Sequence, residues 1–351
     1  MSKIGIGVLS YAHGHVNAYS AEIKGFDDAE LLSVWDDNLD RGKANAEAFG
    51  AAFKPHLEDV LDDKAIELVI IASETNKHAD LAVAACAAGK NVIVQKPMAL
   101  SLADCDRIID AVDRNGVWFS MAFQMRYDPA NIRMKQLIDD GSVGRVGVLR
   151  RRHCIGVLFS EAFITGGSNW HISAEANMGM WMDDASHAAD FMYWMLGQPV
   201  SVVAEIDNVL TNVAPDDTGV ALYRFQNGEV GILFNSSVTW AGENTTEIYG
   251  DRGVVIQNYG DGPSLAVAPP PDAVAVKYFD SQAPEKGWQD QGIPIPAGHG
   301  VRIQAVASNL IKAYKAGKPT VSAREGRVST EMILASYRAA REGRRVEWPL
   351  D

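Results

Sequence analysis

Short, uninterrupted apolar runs alternate with helical patterns through the first 120 residues of the chain. The apolar runs cover residues 4–9, 31–35, 68–72, 91–94 and 117–121, and the helical patterns cover residues 16–24, 41–49, 79–88 and 102–113. Strands that alternate with helices form βαβ units around a parallel sheet, and strands that are apolar throughout are typical of a sheet covered on both faces. The sequence therefore predicts a doubly wound parallel sheet over residues 1–123.

A different pattern runs from residue 124 to residue 351. Helical patterns cover residues 131–140, 185–196, 302–316 and 328–342, and strand-like segments cover residues 146–157, 200–208, 220–225, 229–235 and 246–249. Turn signals such as Gln226-Asn227-Gly228 join neighbouring strand-like segments. The sequence therefore predicts a second, α+β domain built on a mostly antiparallel open sheet. Residues 261–300, rich in Pro, Gly and Ala, are predicted to form a long irregular excursion, either a lid or an oligomer arm.

Composition indicates which binding partners the protein can have and in which cellular compartment it is expected. The chain carries 32 Lys and Arg against 45 Asp and Glu, a net charge of −13, which disfavours nucleic acid and anionic membranes as partners. The three cysteines are widely spaced and odd in number, so we expect reduced thiols and a cytoplasmic location. No run is long enough for a transmembrane helix, and the first apolar run is too short for a signal peptide. We interpret the basic run at 150–152 as a solvated strand edge, from which one arginine could reach an anionic ligand.

The first strand-to-helix turn is the natural pyrophosphate site of a parallel sheet, because a helix begins there. The usual G-x-G-x-x-G would fall on Ser10, Ala12 and His15, and none of these is glycine. Ser10 and Ala12 are still small enough for a cofactor to approach the backbone. His13 or His15 could donate to a phosphate, or both could be ordinary loop histidines.

The second strand ends at Asp36, where an acid can accept both hydroxyls of an adenosine ribose. Asp37 follows at once, and the first cation after it is Arg41. A 2′-phosphate would be repelled by these carboxylates, so the sequence favours NAD over NADP as the cofactor. The alternative is that Asp36 and Asp37 only begin a turn and cap the next helix.

Four segments resemble one family in their order and spacing. Residues 72–98 read ASETNKHADLAVAACAAGKNVIVQKPM, residues 124–146 read QMRYDPANIRMKQLIDDGSVGRV, residues 178–197 read MGMWMDDASHAADFMYWMLG, and residues 316–346 read AGKPTVSAREGRVSTEMILASYRAAREGRRV. The chain resembles the Gfo/Idh/MocA oxidoreductases. The resemblance implies a Rossmann domain followed by an α+β domain whose open sheet often forms an oligomer interface, hence a homodimer or homotetramer. It also implies NAD(P)-linked oxidation of a secondary alcohol of a sugar, inositol or polyol, or the reverse reduction of the ketone.

The resemblance also assigns roles to residues. The family's E-K-P motif is Gln95-Lys96-Pro97 here, and its acid-x-x-x-His motif is Asp183 with His187. Lys96 is expected to hold the reacting oxygen, His187 to accept the hydroxyl proton, and Asp183 to orient the substrate or the imidazole. Further cofactor contacts are expected at Ser73, Glu74, Thr75, Asn76, His78, Gln95, Lys96 and Arg126, and further substrate contacts at Trp170 and His171.

Each assignment has a structural alternative. Lys96 could be a solvated lysine, His187 an ordinary helix histidine and Asp183 a helix N-cap; Asp190, one helical turn beyond His187, is expected to be structural. Asp183, His187, Asp190 and His171 could together bind a metal, but the resemblance implies none and we predict none. Two other functions fit the same chain. One is a redox-assisted glycosidase that retains its NAD, and the other is a non-catalytic ligand sensor.

Overall fold

The computed structural model describes residues 3–241, 245–259 and 267–350. The chain divides into two compact units. The N-terminal unit comprises residues 1–123, 175–177 and 303–330, and the C-terminal unit comprises residues 124–174, 178–302 and 331–351. One division between the units falls between residues 123 and 124. Residues 303–330, which the prediction placed in the second domain, pack within the N-terminal unit instead, where the ring of Tyr314 meets that of Trp118 edge to face at 5.3 Å.

The N-terminal unit is built on a six-stranded parallel sheet in the order β3-β2-β1-β4-β5-β6. Its strands are β1 (Ile4–Leu9), β2 (Ala29–Trp35), β3 (Ala52–Phe53), β4 (Leu68–Ile71), β5 (Asn91–Val94) and β6 (Phe119–Met121). All five predicted strands are confirmed, and β1 and β4 are buried along their whole length. β3 was not predicted, because a strand of two residues is too short to show a recognisable hydrophobic pattern.

The strand register brings four strand ends to one edge of this sheet. Leu9 lies beside Trp35 on one side and beside Ile71 on the other, and Ile71 lies beside Val94. The residues that follow β1, β2, β4 and β5 therefore share the carboxyl edge of the sheet. Open α/β sheets bind their ligands at this edge.

The C-terminal unit is built on a nine-stranded sheet in the order β14-β13-β12-β11-β7-β10-β9-β8-β15. Its strands are β7 (Val146–Cys154), β8 (Pro199–Asp207), β9 (Thr218–Phe225), β10 (Val230–Ser236), β11 (Thr245–Gly250), β12 (Gly253–Gln257), β13 (Val276–Asp280), β14 (Gln289–Asp290) and β15 (Val346–Glu347). β10 pairs with β7 in parallel, and the other described pairs are antiparallel. The predicted α+β domain on a mostly antiparallel sheet is confirmed.

The helices are α1 (His15–Ile23), α2 (Leu39–Phe49), α3 (Leu57–Leu61), α4 (His78–Ala87), α5 (Leu102–Asn115), α6 (Pro129–Asp139), α7 (Glu161–Thr165), α8 (Ala174–Asn177), α9 (Met180–Asp183), α10 (Ala185–Leu196), α11 (His299–Lys315) and α12 (Ala323–Glu342). Their ends follow local chemistry. The Ser101 hydroxyl accepts from the Asp104 amide at the start of α5. α2 and α5 end at Gly50 and Gly116, both in the left-handed region that glycine favours.

Two predictions for the C-terminal unit are wrong. Residues 267–300 are not one irregular excursion, because β13 pairs with β12 and β14 pairs with β13, so the segment extends the sheet; residues 260–266 lie outside the described part of the chain. The basic run is not a solvated strand edge, because β7 lies inside the sheet between β11 and β10. Alternation puts Arg151 on the buried face, where it donates to the Thr246 hydroxyl at 2.8 Å, while Arg150 pairs with Glu247.

Among the described residues, no helix combines the length and the apolar character that a membrane crossing requires. Cys86, Cys105 and Cys154 are free thiols and all three are buried. Burial raises the pKa of Cys86 and of Cys154 to about 11 and that of Cys105 to about 12. The thiols are therefore protonated and unreactive at neutral pH.

Candidate functional site

The turn after β1 keeps the backbone path of a glycine turn without the glycine. Ser10 has φ of +75°, in the left-handed region, and its amide donates to the Trp35 carbonyl at 2.7 Å. The Ser10 hydroxyl accepts from the Ala12 amide at 3.2 Å. A short polar side chain that bonds its own turn tolerates this conformation better than most residues do. The turn leads into α1, which begins after Gly14 without a side-chain cap and directs the positive end of its dipole towards this edge.

Two histidines lie at the start of α1. The His15 amide donates to His13 Nδ1 at 3.3 Å, and the His13 amide donates to the Ala72 carbonyl at 2.9 Å. The rings meet at 4.5 Å between centroids, and His13 is buried. Because Nδ1 of His13 accepts, the neutral ring carries its proton on Nε2.

Asp36 is fully buried at the end of β2. Its Oδ2 accepts from the Tyr11 amide at 2.8 Å, and its Oδ1 accepts from the Asn38 amide at 2.9 Å. The N-cap of α2 is Asn38, whose side chain accepts from the Arg41 amide. Asp36 is therefore not the cap of α2, and its carboxylate joins the Ser10 turn to the start of that helix.

Arg41 folds back onto Asp36, which the sequence did not indicate. Its Nε and Nη2 donate to the two carboxylate oxygens of Asp36 at 2.8 and 2.7 Å, and Nη2 also lies 3.1 Å from the Ser10 hydroxyl. Burial opposes the charge of Arg41, but its hydrogen bonds to Asp36 outweigh burial and raise its pKa. The sequence signal that could have predicted this contact was Asn38 as the N-cap of α2, because it places Arg41 in the first turn of the helix, next to the end of β2.

A second cation closes this cluster. Lys77 bonds to Asp37 and, at 2.8 Å, to Glu74. Burial opposes the charge of Asp37, yet Lys77 holds the pKa of that carboxyl below its ordinary value. Arg41 Nη2 lies 3.2 Å from Asp37 Oδ1 and 3.7 Å from Glu74 Oε1. Three carboxylates and two cations therefore surround the end of β2.

The loop after β4 contains one exposed and several buried candidates. The Thr75 hydroxyl donates to Asn177 Oδ1 at 2.6 Å within the N-terminal unit, whereas Asn76 is exposed. His78 is fully buried, and its ring nitrogens lie 2.9 Å from the Pro97 carbonyl and 3.2 Å from that of Ser73. Burial lowers the pKa of His78 to about 4, so the ring is neutral and donates to one carbonyl at a time. This geometry indicates a structural role for His78.

Lys96 is buried at the end of β5, so the solvated alternative does not describe it. The Lys96–Pro97 peptide is cis. The side chain of Gln95 bonds at both ends, because Oε1 accepts from the Lys96 amide at 2.9 Å and Nε2 lies 3.1 Å from the Tyr19 hydroxyl. Gln95 therefore fixes the backbone at Lys96.

In the C-terminal unit, the segment that carries Asp183 is held from several directions. Asp216 accepts from the Trp181 amide at 2.6 Å and from the Tyr337 hydroxyl at 2.7 Å. The Tyr337 oxygen in turn accepts from the Met182 amide at 3.1 Å. We call Asp216 and Tyr337 the α9 clamp. Burial raises the pKa of Asp216 despite these hydrogen bonds.

Asp183 and His187 are both buried, Asp183 at the end of α9 and His187 in the first turn of α10. Asp183 Oδ1 lies 4.0 Å from His171 Nε2. The His187 ring lies 5.8 Å from that of His153, which is buried on β7 and which the sequence did not single out. The alternation of β7 was the available signal for His153, because it shares the inner face with Arg151 and lies 3.2 Å from it.

Two aromatic rings stack beside Asp183. Trp170 and His171 lie 3.6 Å apart between centroids, and His171 Nδ1 is 2.8 Å from the Ser168 carbonyl. One face of Trp170 is thus covered by a protein ring.

Arg126 forms a bidentate ion pair with Asp190. Nε and Nη2 lie 2.9 and 2.8 Å from the two oxygens of Asp190, both side chains are buried, and the guanidinium packs over Trp194. Asp190 therefore has the structural role expected of it. Arg126, predicted as a cofactor contact, anchors α10 through this pair.

The predicted residues divide between the two units. The carboxyl edge of the N-terminal sheet carries Ser10, Ala12, His13, His15, Asp36, Ser73, Thr75, Asn76, His78, Gln95 and Lys96, and the C-terminal unit carries Arg126, Trp170, His171, Asp183 and His187.

Known proteins share this architecture. Residues 3–123 match the model of an oxidoreductase family with the NAD-binding Rossmann fold, and residues 132–256 match that of the GFO/IDH/MocA C-terminal domain. The chain is 28% identical over 260 residues to the myo-inositol 2-dehydrogenase of Thermotoga maritima, covering 71% of this chain and 73% of the relative. It is 24% identical to the D-apiose dehydrogenase of Paraburkholderia graminis, covering 97% and 88%. A levoglucosan dehydrogenase solved in complex with NADH superposes with a TM-score of 0.85 at 22% identity and full coverage of both chains. The chain belongs to the Gfo/Idh/MocA family and is an oxidoreductase with an NAD-binding Rossmann domain.

Proposed function

We propose that this protein is an NAD-dependent dehydrogenase acting on a secondary alcohol, or the corresponding ketone, of a sugar, inositol or related polyol. The observation that carries the proposal is the burial of three ionisable side chains, Lys96, Asp183 and His187. Charged residues are almost never fully buried unless an interaction or a function requires it. These are also the three residues to which the resemblance to the family assigns catalysis.

The nicotinamide, when bound, supplies the hydride acceptor or donor. Lys96 stabilises the negative charge that develops on the reacting oxygen, and His187 accepts the hydroxyl proton in the oxidation. Asp183 orients the substrate hydroxyls or the imidazole. The α9 clamp and the fixed Lys96 backbone preorganise these groups, because their supporting atoms are already hydrogen-bonded.

The cofactor site fits NAD. The buried carboxylate of Asp36 is an acceptor at the position where the fold places the ribose, and the left-handed turn at Ser10 leaves small side chains beside the pyrophosphate position. Ala12, His13 and His15 at the start of α1 complete the proposed phosphate contacts. NAD is favoured over NADP because Asp36, Asp37 and Glu74 outnumber the two cations beside them.

A polyhydroxylated substrate is supported by the relatives, which are named for inositol, apiose and levoglucosan. We further propose a homodimer or homotetramer formed through the open sheet. Val220 and Leu222 on β9 and Tyr249 on β11 are each about two-fifths exposed, and such apolar side chains on one sheet mark an interaction surface. The three buried thiols suit the reducing cytoplasm.

The decisive experiment is a calorimetric titration of nucleotide-free protein with NADH and NADPH, followed by a screen of inositols and sugars for NADH formation. Binding of NADH with turnover of a polyol is the expected result. Release of free sugar without net NADH would instead favour the redox-assisted glycosidase. Nucleotide binding without turnover of any polyol would favour a ligand sensor.

A further inference from the structure

We infer that Arg151, acting through His153, holds the imidazole of His187 in the unprotonated form that a general base needs. Arg151 is a positioning residue in this role, because it acts on the proposed base through a second side chain. The inference rests on the proposed function, since it concerns the base of that reaction.

Arg151 is a fully buried cation on the inner face of β7. Its Nη1 donates to the Thr246 hydroxyl at 2.8 Å and to Gln257 Oε1 at 3.3 Å. Charged side chains are almost never fully buried unless an interaction or a function requires it. A charge inside the protein is also screened less than one at the surface, so it acts on groups several ångströms away.

The second arm of the guanidinium fixes the protonation of His153, which is also buried. Nη2 of Arg151 lies 3.2 Å from His153 Nδ1. A guanidinium can only donate, so this ring nitrogen accepts and the neutral ring carries its proton on Nε2. A second proton on Nδ1 would face the guanidinium at hydrogen-bond distance. His153 is therefore held neutral, although an unperturbed histidine titrates near pH 6.5.

Helix α10 and strand β7 bring this pair next to His187. His187 and Phe191 are four residues apart and share one face of the helix, whereas Arg151 and His153 are two residues apart and share one face of the strand. The Arg151 guanidinium lies 5.4 Å from the centre of the Phe191 ring, and the His153 ring lies 5.8 Å from that of His187. The imidazole of His187 thus has a neutral ring beside it and a buried positive charge one strand step further on.

The other charges around α10 do not replace this effect. The helix also packs against α9, β10 and residues 124–127. Among the described residues, the ionisable side chains on these elements and at the start of α10 are Asp183, Asp184, Arg126 and Tyr127. Arg126 is paired with Asp190. The two carboxylates favour a protonated His187, and Arg151 opposes them.

The variants separate the charge of Arg151 from its bulk. Arg151→Met removes the cation at similar volume, a change that buried ion sites often tolerate. It should move the midpoint of the His187 titration to higher pH by roughly 0.5–1.5 pH units, the effect of one charge about 8 Å away in a protein interior. It should also allow His153 to titrate.

Two further variants are matched controls. Arg151→Lys keeps the charge and should leave the midpoint of His187 close to that of the unaltered protein. Arg150→Met removes the same charge from the opposite face of the same strand, where Arg150 pairs with Glu247. It should leave the midpoint unchanged.

The measurement is an NMR titration of the histidine rings in the nucleotide-free full chain, with His153→Gln and His187→Gln to assign the signals. The ¹⁵N shifts of His153 report its tautomer directly. The acid limb of kcat/KM against pH should move in Arg151→Met by the same amount as the His187 midpoint, because the free enzyme's base governs that limb.

An unchanged His187 midpoint in folded Arg151→Met would overturn the inference, and so would titration of His153 in the unaltered protein near pH 6.5. The second result decides the point even where Arg151→Met does not fold. Neither result affects the proposed function. A shifted midpoint in a protein that oxidises no polyol with NAD would overturn the proposed function and the role of His187 as its base.

Discussion

Motif residues and backbone geometry are related in opposite ways in two regions of the molecule. These regions are the turn around Ser10 in the N-terminal unit and the α9–α10 segment in the C-terminal unit. The turn has lost its motif glycines, yet its backbone follows the left-handed path that glycine usually provides. The α9–α10 segment keeps its motif residues Asp183 and His187, but its geometry depends on Asp216 and Tyr337, to which the sequence analysis assigns no role. A sequence motif can therefore be lost while the backbone path persists, and it can persist while the residues that position it lie elsewhere in the chain. Only the structure shows which of the two applies.

The buried supports of the two regions also differ in charge chemistry. His78 joins the loops after β4 and β5, and burial lowers its pKa to about 4. Asp216 holds α9, and burial raises its pKa. Burial favours the neutral form of each group, so acidification should weaken the support in the N-terminal unit and strengthen the one in the C-terminal unit.

The largest effect should come from the side chains proposed as catalytic. We expect Lys96→Ala and His187→Ala each to lower kcat by about 10³-fold or more, because a general acid–base group or an oxyanion donor contributes that much. NADH affinity by calorimetry should change little in His187→Ala. The exposed Lys286→Ala is the control and should keep full activity. An unaltered rate in either active-site variant would remove that residue from the mechanism.

The next effect tests the support in the N-terminal unit. The pKa of His78 falls from 6.5 to about 4 on folding, so the unfolded chain binds more protons between these values. His78 therefore contributes stability above pH 6.5 that is lost as the pH falls towards 4, about 3 kcal/mol in all. Hydrogen exchange of the β4 amides as a function of pH should show this slope, and His78→Gln should flatten it. His56→Gln, at an exposed position, should leave the slope in place; a slope that persists in His78→Gln would contradict the assignment.

The clamp in the C-terminal unit should have a smaller effect, expressed in catalysis. Asp216→Asn halves the accepting capacity for the Trp181 amide and Tyr337, and a displacement near 1 Å at Asp183 would lower kcat by roughly tenfold to a hundredfold. Tyr337→Phe removes one hydroxyl and should cost about threefold to tenfold. Tyr278→Phe, a hydroxyl lost from β13 in the same unit, is the control. Losses in thermal stability without a change in kcat would show that the clamp only supports the fold.

The sequence predicts helices and strands better than it predicts the side-chain contacts that join them. The apolar runs gave all five longer strands of the N-terminal sheet, because a strand covered on both faces has no polar positions to obscure it. β13 and β14 were missed because their partly buried positions lack that pattern and follow a proline run. The central place of β7 was also missed, since three successive arginines resemble a solvated edge until pairing with β10 and β11 buries one of them.

Candidate site residues follow the same rule. Lys96, Asp183 and His187 were identifiable because they lie within short motifs at fixed spacing. Arg41 was not assigned to the ribose site, because its approach to Asp36 depends on where α2 begins. Asp216 and Tyr337 lie 35 and 155 residues from the backbone amides that they hold, and no local pattern encodes such pairs.

The smallest effect is expected from substitutions of Ser10, which distinguish the contribution of the left-handed backbone from that of the serine hydroxyl. Ser10→Gly relieves the strain of a left-handed residue, worth about 1–2 kcal/mol, but it removes the hydroxyl that bonds the Ala12 amide and Arg41. These terms nearly cancel, so we expect a change in the free energy of unfolding of less than about 1 kcal/mol and an NADH Kd within about threefold. Ser10→Ala keeps the strain and loses the hydroxyl, so it should be the less stable variant by urea denaturation. If Ser10→Gly instead proved as damaging as Ser10→Ala, the hydroxyl would dominate the turn, and the difference between the two regions would lie in their side chains alone.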